Sequence, residues 1–318
     1  MAHRPLIVFP ESLRPQLEAM LPDGVDVRGF STLEEALDLA PQAEIGWFDD
    51  FTSGAYSRAP GAAVNAKWIN TIVVGFDAFP MQVLRERGQI FTNGAGLMPD
   101  VVADYAVMGA LVLAKRLDEV VRAHDRRDWT RAGPPGTFEL LNAKALIIGY
   151  GAIGQEIATR LRAFGVTVTG VRRGADSDPE VIGADEWRGR LGEFDYVILA
   201  APNTAETKAM LGAEEFASMK PGVRIINIAR GDLIDQPALI AALEAEQVGS
   251  AFLDVTTPEP LPPEHPLWGA PNMLITMHLA GQSQSTAFER GAARFIKNLK
   301  HYLAGEPLEH VVDMTRDY

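Results

Sequence analysis

The chain has 318 residues, about twice the usual size of one domain, so we expect two domains that each bury a core. Hydrophobic residues make up 47% and charged residues 22% of the chain, which excludes a disordered protein. The formal charge of -13 disfavours nucleic acid and anionic membrane surfaces as partners. The chain has no cysteine, which excludes disulfides and thiolate nucleophiles and fits a reducing cytoplasm.

The first third of the chain alternates between short apolar segments and amphipathic helical ones. The apolar run from Leu6 to Phe9 is too short for a signal peptide or a membrane span, so we expect a cytoplasmic protein. The alternation continues to about Thr92 and predicts a parallel sheet with helices on both faces. Residues 100–124 then carry a wide apolar face at helical spacing, which predicts one long helix that joins two domains or two subunits.

A second alternating series follows the charged, Gly- and Pro-rich segment 126–136. It has the pattern of a doubly wound nucleotide-binding domain, so the predicted fold class is α/β with parallel sheets. The proline-rich segment 256–271 lies between apolar strands and predicts a rigid surface loop. The last helix is expected from about Ser283 to Leu303.

The segment GYGAIG has the spacing of the dinucleotide fingerprint G-x-G-x-x-G. A strand pattern precedes it and a helix pattern follows, so Gly149 can make the tight turn, Gly151 can admit a pyrophosphate, and Gly154 can allow close packing. A purely structural strand-turn-helix is the alternative. The cofactor contacts expected here are Gly149, Tyr150, Gly151, Ala152, Ile153 and Gly154.

Arg172 and Arg173 lie where the next strand ends, about 20 residues after the fingerprint, where an acidic residue would hold the ribose diol. Arginines there suit a 2'-phosphate, which predicts that NADP(H) is favoured over NAD(H). A solvated turn is the alternative. Asp176 or Asp178 in the same loop could also fold back to the ribose and restore NAD(H) binding.

Three segments place chemically useful side chains on the C-terminal side of predicted strands. Arg230 in INIARGDLID and His278 in LITMHLAGQS directly follow a strand, and in LDVTTPEPLP Asp254 stands at a strand end with Glu259 in the proline-rich loop beyond it. Reduction of a 2-oxo acid needs a cation for the carboxylate, a proton donor for the carbonyl, and a carboxylate that orients the donor. Arg230, His278 and Glu259 supply these roles in that order. Taken singly, each has an ordinary alternative as a surface arginine, a loop glutamate or a core histidine.

These motifs, together with VVGFD at 73–77 and VADYAV at 102–107, resemble the D-isomer-specific 2-hydroxyacid dehydrogenases, which include glyoxylate and hydroxypyruvate reductases. The resemblance implies hydride transfer from NAD(P)H to a small 2-oxo acid to give the D-2-hydroxy acid. It also implies a Rossmann cofactor domain, 98–284, inserted in a flavodoxin-like substrate domain formed by 1–97 and 285–318. A homodimer built on the long helix is expected as well.

The resemblance also implies roles for individual residues. Arg230 would bind the substrate carboxylate and carbonyl, and His278 would be the general acid or base with Glu259 as its partner. Asp254 would contact the nicotinamide amide. The substrate is expected at Val74, Gly75, Arg230 and His278, and further cofactor contacts at Pro202, Thr207, Ala229, Arg230, Asp254, His278 and Ala280.

Two features of the sequence leave the site partly open. Met277 stands where the family usually has proline before the histidine, which we interpret as a change in local backbone stiffness. Trp47, Phe51 and Tyr56 could line the substrate pocket, with core or surface packing as the alternative.

Other functions find less support in the sequence. The 6 histidines show no i, i+4 pair, so no metal site is expected. Formate dehydrogenase shares the architecture but pairs its histidine with glutamine, so Glu259 disfavours that activity. A dinucleotide-sensing transcriptional corepressor also resembles this family, but such proteins usually carry extra tails for partners, which disfavours that class for a chain that ends at Tyr318.

Overall fold

The strands of this protein are parallel throughout the ladders described. The structure is a computed structural model that describes residues 3–129, 133–174, 178–282 and 286–315. The strands are β1 (Leu6–Pro10), β2 (Asp26–Phe30), β3 (Ile45–Trp47), β4 (Trp68–Asn70), β5 (Ile90–Thr92), β6 (Lys144–Ile148), β7 (Thr167–Arg172), β8 (Val181–Gly183), β9 (Tyr196–Leu199), β10 (Val223–Asn227), β11 (Val248–Leu253) and β12 (Met273–Ile275). Parallel strands need crossover connections, and helices supply most of them.

The helices vary from single turns to elements of five turns. They are α1 (Arg14–Leu17), α2 (Leu33–Leu39), α3 (Ala55–Ala62), α4 (Met81–Glu86), α5 (Pro99–Lys115), α6 (Leu117–Asp125), α7 (Ala152–Ala163), α8 (Ala213–Ser218), α9 (Gln236–Glu244) and α10 (Thr286–Ala304). No helix in the described ranges is long and apolar enough to cross a lipid bilayer.

The chain folds into two compact units, a first unit of Met1–Met98 with Ser283–Tyr318 and a second unit of Pro99–Gln282. The first unit has a five-stranded parallel sheet in the order β2-β1-β3-β4-β5, which is the flavodoxin order. Its core includes Trp68 and Phe295, whose ring centroids lie 5.0 Å apart. Helix α10 therefore packs on the sheet formed by the first part of the chain.

The second unit has a seven-stranded parallel sheet in the order β12-β11-β10-β9-β6-β7-β8. The strand order reverses between β6 and β9, and the carboxyl ends of the strands at such a switch point form the usual ligand crevice of α/β sheets. Helix α5 packs close to β11, because a Cβ on Gly109 would lie 2.8 Å from the ring of Phe252. The predicted fold class, with two doubly wound parallel sheets, is confirmed.

The prediction of one long helix over 100–124 is wrong, because the helix breaks at Arg116. This residue has a φ of 50° in the left-handed region, where a right-handed helix cannot continue. Its guanidinium donates hydrogen bonds to Asn272 Oδ1 at 2.9 Å and Glu119 Oε1 at 3.2 Å. These bonds hold the break in place, so α6 leaves α5 in a new direction.

Two elements were missed by the sequence analysis. Helix α3 contains Pro60 and Gly61, both of which disfavour a helix interior and hide its pattern. Strand β8 has only three residues, too few for a period to be recognised. The expected start of the last helix at Ser283 lies outside the described residues, and α10 ends at Ala304.

Candidate active site

The glycine-rich turn after β6 is close-packed at its first and third glycines and open at its second. Gly149 has a φ of 102°, and a Cβ there would lie 2.4 Å from the backbone of Ala200 and Ala201. A Cβ on Gly154 would lie 2.3 Å from the carbonyl oxygen of Gly149. A Cβ on Gly151 would meet nothing within 4 Å. The turn therefore leaves open space at the amino end of α7, which fits the pyrophosphate of a dinucleotide.

Arg172, at the end of β7, lines a polar cavity of about 560 Å³. Tyr150 and Arg162 line the same cavity, and Arg162 Nη2 donates to Tyr150 Oη at 3.0 Å. Arg162 also pairs with Glu180 at 2.6 Å, so its charge is partly neutralised. The cavity lining thus contains two arginines, which suits an anionic group of a ligand.

The acidic residue described at this cavity has another partner in the structure. Asp178 lines the cavity, and its Oδ1 accepts the Glu180 amide at 2.9 Å, which closes its own turn. Asp176 lies outside the described residues. Arg173 Nη1 lies 3.9 Å from Glu206 Oε2, and both side chains are largely exposed.

The loop after β9 carries the expected cofactor contacts Pro202 and Thr207. Thr207 Oγ1 donates to the Pro202 carbonyl at 2.7 Å and accepts the Thr204 amide at 2.8 Å. Glu206 belongs to the same loop. The hydroxyl of Thr207 therefore holds the loop closed at the switch point of the sheet.

Arg230 lies in a turn that Asn227 fixes at the end of β10. The Asn227 side chain is fully buried, accepts the Ala229 amide at 3.0 Å and donates to the Arg230 carbonyl at 2.8 Å. A Cβ on the next residue, Gly231, would lie 2.1 Å from the backbone carbon of Thr256. The glycine thus allows the arginine turn to pack directly against the loop after β11.

Asp254, at the end of β11, holds the loop that carries His278. Its carboxylate accepts hydrogen bonds from Thr276 Oγ1 at 2.7 Å, Leu279 N at 2.8 Å and Ala280 N at 2.9 Å. Its carbonyl oxygen accepts the His278 amide at 2.5 Å. The residue is 1% exposed. In this structure Asp254 fixes the backbone around the histidine, and its contact with nicotinamide stays a prediction.

The methionine at position 277 changes the backbone conformation and not only its stiffness, so our interpretation of this residue is wrong. Met277 and His278 have φ values of 57° and 59°. Proline is confined to a φ near −65° and cannot adopt this conformation. The methionine therefore permits a loop geometry that the usual proline of the family would exclude.

His278 and Glu259 form a direct pair. His278 Nδ1 lies 2.7 Å from Glu259 Oε2, and Glu259 Oε1 accepts the Thr256 amide at 2.9 Å. The hydrogen bond to Glu259 raises the pKa of His278, although burial and the charge of Arg230 act against it. Burial acts to raise the pKa of Glu259, but its hydrogen bonds and the charges of His278 and Arg230 lower it overall. The geometry thus favours an imidazolium with a carboxylate partner.

Gln236 supports this pair and was missed by the sequence analysis. It is buried at the start of α9, where Asp235 caps the helix by accepting the Ala238 amide at 3.0 Å. The side-chain nitrogen of Gln236 donates to the Thr257 carbonyl, and its side-chain oxygen accepts the backbone amide of Thr257 at 3.0 Å. These bonds fix the loop that carries Glu259. Nothing in the local sequence pattern singles out this glutamine.

The first unit contains the backbone segment at Val74 and Gly75. The Val74 carbonyl accepts Asn93 Nδ2 at 2.8 Å, and the Val73 carbonyl accepts the Gly94 amide at 2.8 Å. Within the described part of the chain, the amides of Val74 and Gly75 have no hydrogen-bond acceptor. Two neighbouring amides of this kind can bind an anion such as a carboxylate.

Trp47, Phe51 and Tyr56 have different surroundings. Trp47 is fully buried and packs on Phe295 with ring centroids 5.1 Å apart, so it belongs to the core and not to a pocket wall. Phe51 is 49% exposed, and its ring centroid lies 5.0 Å from that of Tyr56. Only Phe51 and Tyr56 keep the role of candidate pocket residues. Across the ranges that the structure covers, no cluster of three or more His, Asp or Glu side chains could hold a metal ion.

Comparisons with known proteins identify the family of this chain. Residues 107–280 match the family described as D-isomer specific 2-hydroxyacid dehydrogenase, NAD binding domain. The mouse glyoxylate reductase/hydroxypyruvate reductase is 32% identical over 71% of this chain and 70% of its own. A D-isomer specific 2-hydroxyacid dehydrogenase family protein of Aeromonas salmonicida has a TM-score of 0.87 at 25% identity, covering 98% of this chain and 100% of its own.

A solved structure with a bound ligand is also similar. The NADPH-dependent glyoxylate/hydroxypyruvate reductase of Sinorhizobium meliloti, in complex with NADP and malonate, has a TM-score of 0.79 at 25% identity. The similarity covers 98% of this chain and 98% of that one. The chain belongs to the D-isomer specific 2-hydroxyacid dehydrogenase family, as its motifs predicted. It is therefore an oxidoreductase that uses a nicotinamide cofactor.

Proposed function

We propose that the protein reduces small 2-oxo acids to D-2-hydroxy acids with NADPH, and that glyoxylate and hydroxypyruvate are its favoured substrates. The observation that carries the proposal is the pair of His278 and Glu259, 2.7 Å apart, under the influence of the Arg230 charge. The activities named for the mouse and S. meliloti relatives support this choice of substrates.

We assign cofactor binding to 98–284 and substrate binding to 1–97 with 285–318. The open space at Gly151 and the amino end of α7 supports the first assignment. The amides of Val74 and Gly75 support the second, because they can receive a carboxylate. The contacts proposed for Pro202, Thr207, Ala229 and Ala280 belong to the cofactor site.

The side chains of the site divide the reaction between them. A nicotinamide cofactor held at the turn from Gly149 to Gly154 would supply the hydride. Arg230 binds the carboxylate of the acid and draws charge onto the carbonyl oxygen. His278, held at Nδ1 by Glu259, donates its Nε2 proton to that oxygen, which completes the hydroxyl group. Oxidation of the hydroxy acid uses the neutral imidazole as the base.

A spectrophotometric assay tests the proposed function. The protein is mixed with NADPH or NADH and with glyoxylate, hydroxypyruvate, pyruvate or phenylpyruvate, and cofactor oxidation is followed. Formate with NAD⁺ or NADP⁺ is the comparison for the other dehydrogenase activity of this fold. We expect oxidation of NADPH with glyoxylate and hydroxypyruvate. Reduction of none of the 2-oxo acids, or turnover of formate alone, would contradict the proposal.

The substitution Glu259→Gln is expected to move the pH profile of reduction to lower pH. The carboxylate raises the pKa of His278, so the imidazolium persists to higher pH and reduction declines only as the pH passes this raised value. A neutral amide removes this effect. The measurement is kcat/KM for reduction against pH, and Glu264→Gln, an exposed residue of the same loop, is the control. An unchanged basic limb in Glu259→Gln would refute the role of Glu259.

We propose that the protein is a homodimer that uses α5 and α6. These helices expose Met108, Leu117, Val120 and Val121, and Trp129 beyond them is 90% exposed. Apolar patches of this kind usually mark interfaces. Light scattering at micromolar concentration should give about twice the chain mass of 34.5 kDa.

A charge on α6 should break this dimer. Val121→Glu is expected to give a monomer, because the carboxylate would be buried without a partner at the interface. Val64→Glu, on a residue of the first unit with a similar exposure of 51%, is the control and should stay dimeric. A wild-type mass near 34.5 kDa would rule out the dimer.

A further inference from the structure

Asp49 is a buried carboxylate that the proposed reaction does not use. It lies just after β3, is 4% exposed, and accepts hydrogen bonds from Trp47 Nε1 at 2.7 Å, Thr71 Oγ1 at 2.8 Å and Ile72 N at 2.7 Å. Among the described residues, no Lys, Arg or His is within ion-pair distance of it. Burial raises the pKa of Asp49 to about 6, although the three donors act to lower it. A buried carboxylate without a cation is costly to the fold, so its position needs another explanation.

The bonds of Asp49 determine where the following backbone amides point. Asp49 Oδ2 takes the Ile72 amide, and Thr71 Oγ1, bonded to Asp49 Oδ1, takes the Val73 amide at 3.1 Å. Two successive amides are therefore turned toward the carboxylate and its hydroxyl partner. The next two amides, of Val74 and Gly75, are those that have no acceptor in the described chain.

The carbonyl side of the segment 72–75 is also fixed. Asn93 and Gly94 donate to the carbonyls of Val74 and Val73 at 2.8 Å each. A Cβ on Gly94 would lie 1.7 Å from the Ile72 carbonyl oxygen, so this side is close-packed. With its carbonyls held here, the segment depends on Asp49 and Thr71 for the direction of its amides.

We propose that Asp49 is a positioning residue that aims the Val74 and Gly75 amides at the carboxylate of the 2-oxo acid. The inference rests on the proposed function, because it takes this backbone as the site of the substrate carboxylate. Asp49 does not touch the substrate. It sets the direction of the two amides and takes no part in proton transfer.

The substitution Asp49→Asn separates the positioning role of Asp49 from the effect of its charge, because the two change the KM for the 2-oxo acid in opposite directions. Removal of a negative charge near an anion site would by itself tighten substrate binding. Positioning predicts the reverse. The asparagine NH₂ must face either the N–H donors of Trp47 and Ile72 or the Thr71 hydroxyl, which would then lose the acceptor of its own proton, and either arrangement displaces the segment. We expect the KM for the 2-oxo acid to rise about tenfold or more, the range of a lost hydrogen bond to a charged group.

The experiment measures three quantities in each variant. These are kcat and KM for hydroxypyruvate, the Kd of oxamate in the presence of NADPH, and the Kd of NADPH alone by fluorescence. Oxamate is an unreactive analogue of a 2-oxo acid, so its Kd reports binding without turnover. Asp49→Asn should raise KM and the oxamate Kd by similar factors, change kcat less than threefold, and leave the NADPH Kd unchanged.

Two further variants make the test independent of the folding of Asp49→Asn. Thr71→Val removes the acceptor for the Val73 amide and should raise KM in the same way. Trp47→Phe removes the third bond to the same carboxylate and leaves the acceptors of the Ile72 and Val73 amides in place, so it should lower stability and leave KM within twofold of wild type.

The outcomes separate this inference from the proposed function. If the wild type reduces hydroxypyruvate but Asp49→Asn and Thr71→Val keep its KM, Asp49 does not position the amides. A KM raised as much by Trp47→Phe as by Asp49→Asn would also overturn the inference, because general loosening would then explain the effect. If the wild type reduces no 2-oxo acid, the proposed function itself fails.

Discussion

Replacing His278 with alanine is expected to lower kcat for 2-oxo acid reduction by about 10²- to 10⁴-fold, the usual contribution of positioned proton transfer. The expectation follows from the geometry of the pair, in which Glu259 holds Nδ1 and Nε2 remains to deliver the proton. The variant should still bind NADPH, because the other proposed cofactor contacts, those of the turn from Gly149 to Gly154 among them, are unchanged. Steady-state kinetics with hydroxypyruvate and a fluorescence titration of NADPH measure the two effects.

A second histidine provides the control for this variant. His124 is exposed in the last turn of α6, so His124→Ala should keep wild-type kcat. Wild-type turnover in His278→Ala would exclude this histidine as the general acid. An equal loss in His124→Ala would show that the assay responds to something other than proton transfer.

The second large effect concerns the choice of cofactor. We expect kcat/KM to be about tenfold or more higher with NADPH than with NADH, because one charge-assisted hydrogen bond from Arg172 to a 2'-phosphate contributes about 1.5 to 3 kcal/mol. Arg162 lines the same cavity, and the Asp178 carboxylate accepts the Glu180 amide. Arg173 contributes less, because Glu206 lies 3.9 Å away.

The substitution Arg172→Asp should abolish this preference, since a carboxylate at the end of β7 accepts hydrogen bonds from a ribose diol and repels a phosphate. The measurement is the ratio of kcat/KM for NADPH to that for NADH in both proteins. Arg28→Asp, an exposed residue of β2, makes the same change of charge and should leave the ratio unaltered. Equal or better efficiency of the wild type with NADH would mean that Arg172 does not bind the 2'-phosphate.

The fold class was predictable because its signals are local. The alternation of apolar strands and amphipathic helices identifies the two parallel sheets, and the spacing of Gly149, Gly151 and Gly154 locates the turn after β6. Arg230 and His278 stand directly after predicted strands, and the carboxyl ends of parallel strands meet at one edge. The second unit could therefore be described in outline without coordinates.

What the sequence could not reveal depends on contacts between distant parts of the chain. The break at Arg116 is held by Asn272, which is 156 residues away. Gln236 reaches Thr257 across 21 residues, and Asp49 reaches Ile72 across 23. No periodicity in the sequence reports such pairings. Supporting residues of a site are hidden for this reason even where its principal side chains are recognised.

For two single residues the sequence did not determine the local structure. Trp47 lies next to a predicted loop, but its ring turns into the core against Phe295. Met277 was read as a change in stiffness, whereas its φ of 57° is a conformation that proline cannot adopt. Both cases concern the direction of the chain at one residue, which the identity of the residue alone does not determine.

The central claim is that hydride transfer and proton delivery at His278 reduce a 2-oxo acid to its D-2-hydroxy acid. Incubation of the protein with hydroxypyruvate and NADPH deuterated at C4 of the nicotinamide tests it most directly, with the product examined by mass spectrometry and chiral chromatography. We predict D-glycerate with deuterium at C2, formed by the wild type and at least about a hundredfold more slowly by His278→Ala. Formation of the L product, or of no labelled hydroxy acid from any 2-oxo acid, would contradict the account.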